Sequence, residues 1–376
     1  MKIKAAVLRQ MGAVAPYAES RPLSIEEVEL DPPGPGEVLV QVKAASLCHS
    51  DLSVVNGDRP RPLPMVLGHE ASGIVAECGP GVDDLAPGDH VVMIFVPSCG
   101  QCMPCMEGRP ALCEPAAATN GAGTLLSGDR RLSRDGEAIH HHVGVSAFAE
   151  YTVVSRRSLV KVEGKLDHAE AALFGCGVLT GVGAVVNTGD VRAGSTVAIV
   201  GLGGVGLNAM LGAIVSGARQ VVAIDMLDEK LDLARQLGAT DTVNAGAADA
   251  IEQVKALTAG GVDVAVETAG SVKAMELAYR VTRRGGTTVT AGLPNPAHLW
   301  PLQHVNLVAE ERTVKGSYIG SCVPGRDLPR YIDLYRRGRL PVDRLMSDRI
   351  RLDDINAAFD RLASGRTVRQ MVIFDH

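Results

Sequence analysis

The chain has 376 residues, 46% of them hydrophobic and 21% charged. That balance excludes a disordered chain, and the length exceeds one compact core, so two domains are expected. A net charge of −6 with no basic stripe excludes a nucleic-acid or anionic-membrane role, and no run approaches the ~20 apolar residues of a membrane helix. The N-terminal apolar run is too short for a signal peptide, which predicts a cytoplasmic protein.

In chain order, short β-type runs come first, at 38–42, 73–76 and 90–94, broken by Pro and Gly turns at 31–36 and 87–89. They predict an irregular all-β or barrel-like domain. Residues 121–136, polar and spotted with glycine, read as a long surface loop. Near residue 178 the texture changes. Apolar strands at 196–200, 220–225, 262–267, 286–291 and 313–317 alternate with helices at 205–216, 228–237 and 272–281. Asp228 reads as the cap of the second helix and Gly238 as its stop. This alternation predicts a parallel sheet covered on both faces. The tail adds helices at 328–337 and 352–363 and a strand at 368–374. The domain division expected is 1–177 with 320–376, and 178–319.

Gly201-Leu-Gly203-Gly204-Val205-Gly206 fits G-x-G-x-x-G. The pattern is weak in a chain with 42 glycines, but here a strand leads in, a helix leads out, and Asp225 closes the next strand. Gly201 permits the tight turn, Gly203 the approach of a pyrophosphate, and Gly206 the packing of helix on strand. The alternative is a purely structural turn. Asp225 accepts from the ribose hydroxyls of NAD and repels a 2′-phosphate, which predicts NAD over NADP; Lys230 either reaches a ribose hydroxyl or is a solvated helix residue.

Eight cysteines are present: Cys48, Cys78, Cys99, Cys102, Cys105, Cys113, Cys176 and Cys322. Clustered cysteines in a chain without an export signal point to metal or catalysis rather than disulfides. Cys99, Cys102, Cys105 and Cys113 have the spacing of a closed structural zinc site. An iron–sulfur cluster is the competing reading, but its run continues with shorter spacing and a Cys-Pro. Cys48, His69 and Cys176 are scattered. Each alone suits an ordinary buried thiol or histidine; jointly they make a Cys2His set with one open position, as a catalytic zinc needs. Cys78 and Cys322 have no partner in this scheme and read as buried or indifferent thiols.

The segments Cys48-His-Ser-Asp51, Gly68-His-Glu-Ala-Ser-Gly-Ile-Val75, Gly88-Asp-His-Val-Val92, the four-cysteine lobe, Ala147–Val154, Phe174–Gly181, Gly201–Gly206 and Thr367-Val-Arg369 run nearly end to end. In them the chain resembles the zinc-dependent alcohol dehydrogenases of the medium-chain dehydrogenase/reductase family, in their liver-type long form. The resemblance implies an α/β protein: a GroES-like irregular β catalytic domain plus a Rossmann doubly wound parallel-sheet domain. It implies two zinc ions per chain, NAD, and a homodimer formed through edge strands of the cofactor domain. Cys48, His69 and Cys176 would hold catalytic zinc, with Glu70 behind it and Asp51 accepting the second N–H of His69. Ser50 would take the alcohol's proton. His49 and Arg369 would contact the pyrophosphate, and Thr180 would lie near the nicotinamide. The implied pocket comprises Arg59, Phe95, Ala118, His142, Val143, Leu293 and Tyr318, with Arg59 favouring an anionic substrate.

Two departures stand out. Ser53 occupies the position of a relay histidine, so the relay ends in water or runs through His49. The arginine that glutathione-dependent formaldehyde dehydrogenases carry after the fourth lobe cysteine is missing from 114–119, and Arg59 sits beside Asp58, the match to an acidic residue of that pocket. The triplet His140-His141-His142 reads as no metal tract, since the zinc sites are already filled. The expected activity is therefore oxidation of a primary or aromatic alcohol, or reduction of its aldehyde. The alternatives are S-(hydroxymethyl)glutathione dehydrogenase, polyol dehydrogenase, and a non-catalytic NAD-binding scaffold.

Overall fold

A computed structural model describes residues 1–164 and 166–375. The chain forms two units: Met1–Cys176 with Val323–Arg330 and the stretch from Met346 to the C-terminus, and Gly177–Cys322 with Tyr331–Leu345. Assigning all of 320–376 to the first unit is thus corrected. Residues 331–345 go with the second, where Leu340, Val342 and Leu345 are buried and the Arg344 guanidinium donates to the Gln236 carbonyl at 3.4 Å.

In the first unit, Lys2–Leu8, Leu23–Leu30, Leu132–Arg134, Glu137–His141 and Met65–Val66 close into a small barrel. Beside it runs a sheet in the order Leu159–Lys161, His90–Met93, Glu70–Cys78, Glu37–Ser46, Arg369–Ile373, Met346–Ile350, with Tyr151–Ser155 also paired to Glu37–Ser46. Glu37–Ser46 is central, and Val38, Val40, Val42 and Ala45 from it sit in the core. The register has a consequence for chemistry. Ser46 pairs with Glu70 and with Met371, and Ala71 pairs with Met93. The chain ends just beyond these pairs therefore bring 47–48, 69–70, 369 and 94–95 together at one edge of the sheet.

The loop expected at 121–136 is corrected. Its start belongs to helix Glu114–Ala122, and its end to a hairpin of Leu132–Arg134 with Glu137–His141. Leu125 and Leu132 are 0% and 2% exposed and belong to an apolar cluster with Ile3, Val28 and Ile139. Two buried leucines in a segment of sixteen residues, otherwise mostly polar or glycine, were too few to set a period, yet they pin the segment.

Glu26, buried on Leu23–Leu30, accepts from Arg9 Nε at 2.8 Å and Nη2 at 2.7 Å, and from Ser24 and Arg134. The Arg9 guanidinium, helped by Ser24 and Arg134 against the cost of burial, lowers its carboxyl from 4.5 to about 2. The folded state thus stays ionised where an unfolded chain protonates, so this stabilisation is complete above 4.5 and lost as pH falls towards about 2. Glu26→Gln is expected to cost about 1–3 kcal/mol at neutral pH and to flatten the acid limb of a Tm–pH profile. A profile that overlays the native one would refute this.

The second unit, among the described residues, holds six parallel strands: β1 (Thr196–Val200), β2 (Gln220–Asp225), β3 (Asp241–Asn244), β4 (Val262–Glu267), β5 (Thr282–Thr290) and β6 (Thr313–Gly316), in the order β3-β2-β1-β4-β5-β6. That is a doubly wound order, with its reversal between β1 and β4. β1 is wholly buried, as a strand covered on both faces must be. The helix after β1, α1 (Gly204–Val215), is nearly all buried. Asp228 is not a cap. Leu227 holds that position, Asp228 opens the helix Asp228–Gln236, and its carboxylate accepts from Asn244 Nδ2 at 2.8 Å. β3 and the helix Ala250–Leu257 were not anticipated; both are short and amphipathic.

The membrane-length expectation also needs correction. The helix His168–Thr188 has 21 residues and mean hydropathy 1.7, long and apolar enough to cross a membrane. Yet 89% of its most apolar window is buried within the protein, the setting of a core helix.

Candidate active site

Cys48 caps the helix His49–Val55. Its sulfur accepts from the Asp51 amide, while the Asp51 carboxylate accepts from the Cys48 amide at 3.2 Å, a capping box closed by a cysteine. The same Asp51, fully buried, accepts from Gly68 N–H at 3.1 Å and His69 Nδ1 at 3.0 Å. Gly68 precedes His69 at φ +90°, where a Cβ would sit 2.6 Å from Phe148 N, so only glycine fits. Cys176 lies on a π-helical turn, Phe174–Val178, a local widening frequent at functional sites. Gly175 lets that turn press on Met93, whose carbonyl would lie 2.6 Å from a Cβ there. The Sγ atoms of Cys48 and Cys176 and a ring nitrogen of His69 lie within 4.8 Å of one another, all three residues buried.

The electrostatics suit a cation. A hydrogen bond from the Cys176 thiol, with the charges of His69 and Arg369, holds the Cys48 thiol well below its ordinary range despite burial. Burial disfavours a charged His69, but Asp51 and the Cys48 sulfur outweigh it and raise its proton affinity well above the usual value. A cup that draws protons this strongly fits a divalent ion held by two sulfurs and the free Nε2. Behind it, Glu70 is fully buried with Arg369 Nη2 at 3.6 Å from its carboxylate, and Arg369 Nη1 donates to the Leu47 carbonyl at 3.4 Å.

Two side chains make contacts that the sequence did not announce. Arg369, expected at a pyrophosphate, has a side chain 3% exposed and enclosed beside Glu70 and the two sulfurs. His142, expected to line a substrate pocket, places Nδ1 3.1 Å from the Asp51 oxygen that His69 also uses, with the two rings edge to face at 5.5 Å. Asp51 thus holds His69 by a hydrogen bond, with the His142 ring nitrogen close to the same oxygen. The histidine triplet goes three ways: His141 Nε2 accepts from Arg131 N–H at 3.1 Å and burial lowers it to about 3, while His140 Nε2 lies 3.4 Å from Arg130. Phe95 meets His69 edge to face at 5.4 Å, and its carbonyl accepts from Asn120 Nδ2 at 2.8 Å, a buried support the sequence reading missed. Val143 is buried, Arg59 half-buried, and Ala118 exposed on its helix. His49 is exposed and Ser50 half-buried at the start of their helix, and the Ser53 hydroxyl donates back to the His49 carbonyl at 2.8 Å.

In the four-cysteine lobe the sulfurs also lie within 4.8 Å of one another. Gly100 and Gly108, at φ +81° and +76°, supply the bends. Cys113 accepts from Cys99 N–H at 3.2 Å and Cys99 from Cys102 N–H at 3.3 Å. Amide hydrogen bonds, led by that of Gln101, bring Cys99 down to about 7, while burial pushes Cys105 up to about 12. One tetrahedral dication would satisfy all four.

In the second unit, Gly201 at φ +91° packs a would-be Cβ 2.9 Å from Ala269, and at Gly206 a Cβ would fall 1.7 Å from the Gly201 carbonyl. Gly203, which caps α1, is different: a Cβ there meets nothing within 4 Å. The protein itself does not demand glycine at that point, as expected where a ligand's phosphates approach the helix N-terminus. Asp225 ends β2, its carboxylate accepting from Leu202 N–H at 2.7 Å and Leu227 N–H at 3.0 Å, with Lys230 Nζ 3.9 Å away. Thr180 is buried; Leu293 and Tyr318 are 49% and 37% exposed.

Residues 34–164 match the alcohol dehydrogenase GroES-like domain, and residues 204–337 the zinc-binding dehydrogenase family. An S-(hydroxymethyl)glutathione dehydrogenase of Synechocystis is 38% identical over 99% of this chain and 100% of its own. The chain belongs to the zinc-dependent alcohol dehydrogenases of the medium-chain dehydrogenase/reductase family. As a member it is an oxidoreductase, built of a GroES-like domain and a zinc-binding dehydrogenase domain. Among solved structures, benzyl alcohol dehydrogenase from Acinetobacter calcoaceticus superposes with TM-score 0.93 at 33% identity, covering 100% of both chains. A Sinorhizobium meliloti protein solved with NADP bound gives TM-score 0.80 at 30% identity, again over 100% of both chains.

Proposed function

We propose that this dehydrogenase oxidises a primary or aromatic alcohol to its aldehyde, or runs the reverse, with NAD as the hydride carrier. The observation that carries the reading is the convergence of Cys48, His69 and Cys176 within 4.8 Å, three donors that leave a tetrahedral ion one position for substrate. Zinc bound there supplies Lewis acidity toward the substrate oxygen, and NAD supplies the carbon that accepts hydride. Asp51 fixes the tautomer of His69, so that Nε2 keeps its lone pair for the metal. Ser50 takes the alcohol's proton. Ser53 is committed to the His49 carbonyl, so exposed His49 is the outward route. Cys99, Cys102, Cys105 and Cys113 hold the second, structural zinc. The Gly201–Gly206 turn and the N-terminus of α1 take the pyrophosphate, and Asp225 with Lys230 takes the ribose.

Support for an aromatic or primary alcohol comes from Phe95 edge-on to His69. A homodimer is supported by β6, which lies at the sheet edge, and by Val305 and Val308, exposed at 59% and 71% on the neighbouring short helix. The eight cysteines are all free, which suits a reducing, cytoplasmic setting. The test is NADH formation across ethanol, hexanol, benzyl alcohol, sorbitol and S-(hydroxymethyl)glutathione. Benzyl alcohol or hexanol is expected to give the highest kcat/KM. Preference for sorbitol or for the glutathione adduct would reassign the substrate class, and turnover of none would sink the reading.

A further inference from the structure

Glu267 is the last residue of β4 and is 1% exposed. No cation pairs with it among the described residues. Its carboxylate instead accepts from Gly270 N–H at 2.6 Å and from the Thr290 hydroxyl at 2.8 Å, and the amides of Ala269 and Ser271 face it as well. Its own carbonyl accepts from Ala291 N–H at 2.9 Å and Gly292 N–H at 3.3 Å. Burial raises its pKa while these donors oppose the rise. One residue therefore ties together two loops, 268–271 leaving β4 and 291–293 leaving β5.

The knot is tight. A Cβ on Gly292 would lie 2.3 Å from Gly270 N and 2.8 Å from Glu267 Oε2, and Gly270, at φ +68°, would bring one 3.2 Å from Leu293 N. It also reaches the glycine-rich turn: Thr268 donates from its hydroxyl to the Gly201 carbonyl at 2.7 Å and from its amide to Val200 at 2.9 Å. The sheet order reverses between β1 and β4, so the ends of those strands floor the crevice where a doubly wound fold takes a dinucleotide. Asp225, on β2, marks the half that takes the adenine nucleotide. The 268–271 and 291–293 loops belong to the other half.

We infer that Glu267 is a positioning residue for the nicotinamide half of the cofactor, holding the β4 and β5 loops in the one arrangement that accepts it. This rests on the dinucleotide reading above. An acceptor-only group matched to main-chain donors sets backbone positions without touching the ligand. Without it, three amides lose their acceptor and the two loops separate, while the Asp225 half is untouched.

The test measures NAD and AMP binding by calorimetry on the full chain. Glu267→Ala is expected to weaken NAD by about tenfold or more, the scale of one or two lost hydrogen bonds, with AMP within about twofold of native. Glu267→Gln should recover most of the loss, because its amide oxygen can face the three main-chain donors and its NH2 the rotatable Thr290 hydroxyl. Thr290→Val, a milder change, should weaken NAD by about twofold to fivefold and leave AMP alone. If Glu267→Ala does not fold, Thr290→Val decides. Equal losses for NAD and AMP mark a merely structural residue and overturn the inference, as does unchanged NAD affinity. Native protein that binds neither nucleotide overturns the dinucleotide reading too; native binding without a difference between the two ligands in the variants overturns this inference alone.

Discussion

Cys176→Ala is expected to cut kcat/KM for alcohol oxidation by about a thousandfold or more, to lower bound zinc from two ions per chain to one, and to leave NAD affinity near native. The reasoning starts from geometry. Cys48, His69 and Cys176 offer three donor atoms within 4.8 Å in a buried cup. Removing one sulfur leaves two donors, too few to hold a zinc ion against water. The Lewis-acid contribution lost with the ion amounts to several kcal/mol, and each ~1.4 kcal/mol is tenfold in rate. Dinucleotide binding is expected to survive because the glycine-rich turn and Asp225 lie far along the chain in a separately packed unit. The supports of the cup predict a graded series. Asp51→Asn keeps the shape but removes charge from the oxygen that His69 and His142 share, so zinc should become about 10–100-fold easier to strip with a chelator. Elemental analysis, a chelator titration and steady-state kinetics check the series. Full activity in Cys176→Ala with one zinc per chain would refute the assignment of these three residues.

What the sequence disclosed, and what it withheld, follows from how far each feature depends on distant partners. The glycine-rich turn, the parallel strands around it and the four-cysteine lobe are local: their residue types and spacing are demanded by backbone turns and by converging sulfurs, so they are visible in a short window. Cys48, His69 and Cys176 were legible only jointly, because the pairing of Glu37–Ser46 with Glu70–Cys78 brings the first two together and the packing of the Phe174–Val178 turn on Met93 adds the third, and no window contains it. Buried polar partnerships were hidden for the same reason. Neither the Glu70–Arg369 pair nor the place of His142 on Asp51 has a pattern in one dimension. Arg369 and His142 had been given ligand-facing roles, and the contacts they make with Glu70 and Asp51 were not foreseen. Glu267 was read as no more than the end of a strand. Its amide and hydroxyl donors come from two loops joined only in space. The 121–136 segment failed differently: two leucines do the anchoring, and composition averaged them away.

Asp225→Ser is expected to move the NAD-to-NADP preference in kcat/KM by about a hundredfold or more toward NADP. Asp225 is held in place by two amides, Leu202 at 2.7 Å and Leu227 at 3.0 Å, so its charge cannot swing away from an incoming phosphate. A 2′-phosphate about 4 Å from it would feel roughly 1 kcal/mol of repulsion per unit charge in water and about 4 kcal/mol in partly buried surroundings. The side chain is 11% exposed, which argues for the upper part of that range. Serine removes the repulsion and frees Lys230, whose ammonium lies 3.9 Å from the carboxylate, to meet the phosphate. NAD should suffer as well, since the ribose loses its acceptor and the Leu202 amide its partner, each worth about 1 kcal/mol. The shift is therefore the sum of a gain for one cofactor and a loss for the other, which is why it exceeds either alone. A relative from Sinorhizobium meliloti was solved with NADP bound, and the experiment asks whether Asp225 excludes that cofactor here. A preference unchanged by Asp225→Ser would place that choice elsewhere in the crevice and remove Asp225 from it.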